Sequence, residues 1–166
     1  MRLFIAIQLN NEMKDALTDL QDRMRSLGVR GNFTKRENLH LTLGFIGEYP
    51  DPYDVKDILE TIDFEPFRIQ LDGIGSFGSL WWAGLDGGDE TKALAKRLRR
   101  ALADAGIPYD RKKFSPHITL VRKPVTRTGR IPEEILQNPP TASMTVDHIS
   151  LMRSDRGKSG MIYTEL

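Results

Sequence analysis

The chain has 166 residues, 39% of them hydrophobic and 28% charged, with a net charge of +1 and no cysteine. That size fits one packed domain or two small lobes sharing a core, and the composition is globular rather than disordered or fibrous. Without cysteine there is no disulfide framework, thiolate nucleophile or Cys-ligated metal. The near-neutral charge argues against a grip on long nucleic acid by bulk electrostatics, while local basic clusters still permit a small or terminal piece.

The opening Met1-Arg2-Leu3-Phe4-Ile5-Ala6-Ile7-Gln8-Leu9 reads as a buried strand. A helix follows it at once, with no small-residue cleavage site between them, which sets it apart from a signal peptide. Residues 12–27 carry Met13, Leu17, Leu20, Met24 and Leu27 on one helical stripe, between Asn10 or Asn11 as N-cap and Gly28 as C-cap. A strand is expected from Phe33 to Ile46, then a turn-rich segment and a short helix over Asp54 to Ile62. Phe67–Leu71 and Leu80–Leu85 read as strands around a loop from Gly73 to Gly78. Asp89 is the expected cap of a second amphipathic helix, with Leu94, Leu98, Ala101, Leu102 and Ala105 on one face and Gly106 and Pro108 ending it. After the basic turn Arg111-Lys112-Lys113 comes another strand, and Thr145–Arg153 and Met161–Leu166 close the chain as strands. No run approaches the roughly 18 apolar residues that span a bilayer, so no membrane association is expected and a cytoplasmic setting fits.

The order of helix then strand occurs twice, and each of those strands holds the same motif: His40-Leu41-Thr42-Leu43 and His117-Ile118-Thr119-Leu120. Strand alternation puts each His and Thr on one face and the apolar residues on the other. With the apolar faces buried, both His/Thr pairs face a cleft, where two imidazoles suit acid–base chemistry near neutral pH and two hydroxyls suit the oxygens of a phosphate ester. The expected architecture is α+β: two antiparallel-sheet lobes related by approximate two-fold symmetry around a central groove, helices outside, forming one bilobal domain over residues 1–166. The third histidine, His148, lacks the repeated context and is assigned to structure. Neither motif brings a carboxylate or Cys beside its His, so a metal-free site is expected.

Among the remaining candidates, Arg97, Arg99 and Arg100 read as a solvated helix face. Arg122, five residues after His117, falls on the wrong face by strict alternation, so a phosphate role requires a bulge or a strand end. Arg153, Arg156 and Lys158 lie in a turn-like stretch that can border the groove. Phe45 falls with Leu41 and Leu43 on the core face, yet it joins Phe114, Trp81 and Trp82 as a possible base-stacking platform, with core packing as the default. Phe45, Arg122 and Arg153 are the candidate substrate contacts.

The segments Asn38-Leu39-His40-Leu41-Thr42-Leu43-Gly44-Phe45-Ile46-Gly47-Glu48 and Phe114-Ser115-Pro116-His117-Ile118-Thr119-Leu120-Val121-Arg122 closely resemble the two signature motifs of the two-histidine phosphoesterases. Within that superfamily the chain is similar, nearly end to end, to the RNA 2′,3′-cyclic phosphodiesterases historically called 2′-5′ RNA ligases. It departs from them at Gly44, where many relatives carry Lys, and at Phe33, where Trp is common. The resemblance implies hydrolysis of a 2′,3′-cyclic phosphate on RNA ends or small cyclic nucleotides to a 2′-phosphate. It implies no metal or nucleotide cofactor and no obligate protein partner, with His40 as proton donor, His117 as proton acceptor, and Thr42 and Thr119 holding the phosphate oxygens. Two other readings stay open: an RNA-end or nucleotide-binding module without turnover, and reversible 2′-5′ ligation at the same site. ATP-driven ligation is disfavoured, because the chain has no Gly-rich phosphate loop.

Overall fold

The computed structural model describes all residues, 1–166. Strand β1 (Arg2–Gln8) leads into helix α1 (Asn11–Ser26), β2 (Arg30–Phe33), a 3₁₀ turn at Arg36–Asn38, and β3 (His40–Glu48). Helix α2 (Pro52–Glu60), the hairpin β4 (Phe67–Phe77) and β5 (Leu80–Asp86), helix α3 (Gly88–Asp104) and β6 (Ile118–Val125) follow. The chain ends with α4 (Glu133–Gln137), β7 (Ser143–Val146), β8 (Ser150–Gly157) and β9 (Gly160–Glu165). These strands build two antiparallel sheets, ordered β3-β1-β8-β9 and β2-β6-β5-β4-β7. The α+β class and the two lobes are therefore as expected, with one histidine motif on a strand of each sheet.

Local chemistry explains most of the boundaries. The Asn10 side chain accepts from the Met13 N–H at 2.9 Å and starts α1, and the Asp51 carboxylate does the same for Tyr53 at the head of α2. Helix α3 starts two residues earlier than a cap at Asp89 would give. The Asp86 carboxylate takes the Gly87 N–H, Gly87 turns through φ +89°, and Asp89 lies in the first helical turn, favoured there by the helix dipole.

Four expectations about strands need correction. The strand from Phe33 to Ile46 is two strands interrupted by the 3₁₀ turn, and each pairs in a different sheet. The Gly73–Gly78 loop is strand: β4 runs through to Phe77 with an irregularity between Leu71 and Ile74, and only the hairpin tip turns. Gly75 is there for space, since a Cβ on it would collide with the Trp82 ring. Thr145–Arg153 is broken at Asp147–Ile149, with β7 in one sheet and β8 in the other. The Ser154–Lys158 stretch continues β8 to Gly157 before it turns. The short helix α4 was not anticipated.

Both sheets and helices share one large core, in which Leu41, Leu43, Leu98, Ile118, Leu120 and Val121 are fully buried. Helix α3 packs behind β3, and α1 reaches behind β6, where buried Gln21 donates its Nε2 to the carbonyls of Thr34 (2.9 Å) and Leu120 (3.0 Å). The Leu120 carbonyl also accepts the Thr34 N–H at 3.0 Å.

That carbonyl lies at a β-bulge. Trp81 pairs with Val121 but Trp82 pairs with Thr119, so β6 carries one extra residue opposite β5. Leu120 and Val121 are both buried, and alternation beyond them is reversed. Strand β3 does the same: Ile5 pairs with Gly44 and Ala6 with Thr42, leaving Leu43 and Gly44 both buried. Each bulge falls immediately after a His-x-Thr motif. Gln21→Leu removes two buried hydrogen bonds from the scaffold of the β6 bulge, a loss of about 2 kcal/mol. For a chain of this size, differential scanning calorimetry is expected to show Tm lower by about 4–8 °C.

Candidate functional site

Between the two sheets lies a cavity of about 820 Å³, lined from one side by β3 and the strands beside it and from the other by β6. His40 and Thr42 face it from β3, Thr119 from β6 and His117 from the residue just before that strand. The four residues singled out by the repeated motif are thus brought together.

Each imidazole is held in the same way. His40 Nδ1 is 2.6 Å from the Asn38 carbonyl and His117 Nδ1 is 2.7 Å from the Ser115 carbonyl, two residues upstream in both cases. A carbonyl can only accept, so Nδ1 carries the proton in each ring and Nε2 is the working nitrogen. The surroundings then differ. His40 Nε2 lies 2.8 Å from Thr42 Oγ1, and its ring sits against Phe4 (5.0 Å between centroids) and edge-on to Tyr163 (5.3 Å). His117 Nε2 makes no hydrogen bond, and the ring meets only the edge of Phe77 at 5.3 Å. Burial pushes the His40 pKa below 6.5; the Asn38 carbonyl works against that shift, while the charges of His117, Arg122 and Lys14 add to it. That shift favours the uncharged imidazole, whose Nε2 accepts from the Thr42 hydroxyl.

The bulges bring two further residues in. Arg122 and Phe45, each five positions after its histidine, line the cavity despite strict alternation. The core face assigned to Phe45 by that alternation is corrected by the extra residue at Gly44. Its ring is covered by the Arg2 guanidinium at 4.8 Å. Gly44 itself points toward Leu98 in the core, so a side chain at this position would not reach the groove from here. Arg122 is followed by Lys123 in the left-handed region (φ 51°), a conformation costly for a residue with a Cβ. Arg153 does not itself line the cavity; its Nε donates to Asp155 at 2.8 Å. Its neighbours Ser154, Asp155 and Arg156 line the groove instead.

Asn38 opens the first signature segment but is not among the site residues singled out from the sequence; it is buried and has two roles. Its carbonyl clamps His40, and its Nδ2 donates to the Met161 carbonyl at 2.9 Å, tying down β9 and with it Tyr163. The aromatic candidates separate. Trp81 is core, while Trp82 lies on the sheet face of Thr119 against Phe77 (5.0 Å). Phe114 leaves the groove for a second cavity on α3. His148 is exposed, with Nδ1 2.7 Å from its neighbour Asp147 and no place in the groove. No cluster of three or more His, Cys, Asp or Glu is positioned to hold a metal ion, and no helix is long and apolar enough to cross a membrane.

A family model described as the 2′-5′ RNA ligase superfamily matches residues 11–158. The chain is 30% identical over 179 residues to the RNA 2′,3′-cyclic phosphodiesterase of Methanothermobacter thermautotrophicus, covering 99% of this chain and 96% of that protein. E. coli LigT in its apo form matches with a TM-score of 0.82 at 27% identity, over 99% of this chain and 94% of that one. The same protein complexed with 3′-AMP gives 0.81 at 27% identity over the same shares.

The electrostatics of the groove can be checked without turnover. In a ¹H–¹⁵N NMR titration, His40 is expected to change protonation with a midpoint below 6.5. Inorganic phosphate should raise that midpoint, because an anion between the two rings favours the charged form. A midpoint at or above 6.5 without phosphate would contradict the burial of this ring.

Proposed function

The chain belongs to the 2′-5′ RNA ligase superfamily, and on that premise we propose that it hydrolyses terminal 2′,3′-cyclic phosphates of RNA ends or small cyclic nucleotides to 2′-phosphates, using His40 and His117 as acid and base without a metal. The observation that carries this reading is the pair of imidazoles clamped through Nδ1, with both Nε2 atoms turned to one groove. The relative from Methanothermobacter is named for that activity, and LigT binds 3′-AMP in one of its structures.

The chemistry derives from the two environments. His117 Nε2 is unengaged and takes the proton of a water molecule as its oxygen attacks phosphorus. The cyclic phosphate brings a negative charge beside His40, raising its pKa so that Nε2 is protonated when substrate is bound. As the P–O3′ bond breaks opposite the incoming water, His40 gives that proton to O3′, and the phosphate remains on O2′. A group whose pKa burial has lowered is a stronger acid once charged, which suits the donor role given to His40. The hydroxyls of Thr42 and Thr119 and the guanidinium of Arg122 meet the non-bridging oxygens, and Phe45 offers a face to a base. The cycle closes when solvent removes the proton from His117 and returns one to His40, so no co-reactant is consumed.

His40→Ala and His117→Ala are each expected to lower kcat on the order of 10²-fold or more with a mononucleoside 2′,3′-cyclic phosphate, and His148→Ala to leave it unchanged. The double variant should lose far less than the product of the two. Loss of turnover in His148→Ala with wild-type rates in the motif variants would overturn the site.

Product analysis by ³¹P NMR tests the orientation. A 2′-phosphate as the single product, formed equally well in excess EDTA, is the expected result. A 3′-phosphate would reverse the assignment of leaving oxygen, and rescue by a divalent ion after chelation would remove the metal-free mechanism.

A further inference from the structure

Helix α3 and the segment that leads from it to His117 enclose a second cavity of about 440 Å³, lined by Lys92, Lys96, Arg99, Arg100, Tyr109 and Phe114. No carboxylate lines it, and none of its four cations is in a salt bridge. Lys96 comes four residues after Lys92, and Arg99 and Arg100 come three and four after Lys96, so the four form one stripe along the helix. Like charges at those spacings repel and destabilise the helix that carries them. Arg97 is off this stripe, so the three arginines do not form the single solvated face expected of them.

The pocket is also organised. The Arg99 guanidinium stands over Tyr109 (5.8 Å) and Phe114 (5.6 Å), and its Nη1 donates to the Lys112 carbonyl at 2.7 Å. Its Nε is buried without a partner. Arg111 lies over Tyr109 at 5.2 Å and, with Lys112 and Lys113, extends the positive surface along the loop. The same loop is joined to the groove: the Asp110 N–H donates to the carbonyl of Phe45 at 2.8 Å, and three residues after Phe114 the chain reaches His117. Positive charge interleaved with aromatic faces is what a flexible phosphate backbone with unstacked bases requires.

We infer that this patch is a second RNA-binding site, which takes the phosphate backbone of a single strand several nucleotides from the end held in the groove. The inference rests on the proposed reading of the groove as an RNA-end site. It accounts for an unpaired cationic stripe in a chain of net charge +1. It also separates the two tasks: the groove acts on a terminal nucleotide, and the patch distinguishes an RNA chain from a mononucleotide.

The test is the variant K92Q/K96Q/R100Q, which leaves Arg99 and its contacts in place. Turnover is compared on a mononucleoside 2′,3′-cyclic phosphate and on a single-stranded RNA ending in the same group. Affinity for that RNA with a 2′-phosphate end is measured by fluorescence anisotropy across a range of salt. Mononucleotide kcat/KM is expected to be unchanged and the thermal midpoint no lower. The RNA Kd should rise about 10-fold or more, with a log–log salt slope shallower by about two, since each lost single-strand phosphate contact removes about 0.7. Equal RNA affinity and slope in both proteins would overturn the inference, as would an equal loss on the mononucleotide. A wild-type protein that turns over neither substrate but binds RNA more tightly than the variant would remove the phosphodiesterase reading and support the patch.

Discussion

A strand alternates, so a residue five positions beyond a groove-facing histidine belongs in the core. In β3 and β6 it does not, because one inserted residue after each His-x-Thr lets two neighbours share the core: Leu43 with Gly44, and Leu120 with Val121. The insertion returns Phe45 and Arg122 to the groove. Each half thus supplies three side chains on one face rather than two, and the third differs between halves, an aromatic ring on one and a guanidinium on the other. The bulge of β6 is braced from behind by Gln21 of α1, on the carbonyl that also takes the Thr34 N–H. Packing of a helix against the back of a sheet is thereby linked to which charge faces the groove.

The approximate symmetry stops at the imidazoles. Both are clamped through Nδ1 by a carbonyl two residues upstream, which fixes the tautomer, and the clamp results from the chain direction at the entry to each strand. Beyond the clamp the two rings are treated unequally. His40 is packed by Phe4 and Tyr163 and bonded to Thr42, whereas His117 has a free Nε2 and one aromatic edge. The packing around His40, with the charges of His117, Arg122 and Lys14 beside it, lowers its proton affinity.

The repeated motif was legible because it needs only alternation and recurrence, and these placed His40, Thr42, His117 and Thr119 on common ground. Helix α1 was legible from its stripe and its Asn10 cap and α3 from its stripe, whereas α2 begins at Pro52, capped by Asp51, ahead of the Asp54 start expected. Alternation could not show the places where it fails. The bulges moved Phe45 and Arg122 inward. The straight run of β8 to Gly157 left Arg153 out of the groove lining and put Arg156 in its place. Glycine was misleading for a physical reason: Gly75 makes room for the Trp82 ring in a strand, where the composition of Gly73–Gly78 reads as a turn. Asn38 opens the first signature segment, yet its role was not legible because it depends on a backbone carbonyl and on a strand more than a hundred residues away.

The local rules that this chain breaks are not scattered over its surface. Lys123 occupies a left-handed conformation directly after Arg122. His40 is buried with its pKa held down. The indole nitrogen of Trp82, whose residue pairs with Thr119, is buried without a partner, as is Nε of Arg99. Four like charges lie along α3 with no carboxylate among them. Every one of these costs stability, and every one adjoins either the groove or the basic patch joined to it by the loop from Asp110 to His117. A core as continuous as the one beneath the two sheets can carry such costs. Their concentration at the groove and the patch is what selection for binding and chemistry, rather than for stability, leaves behind.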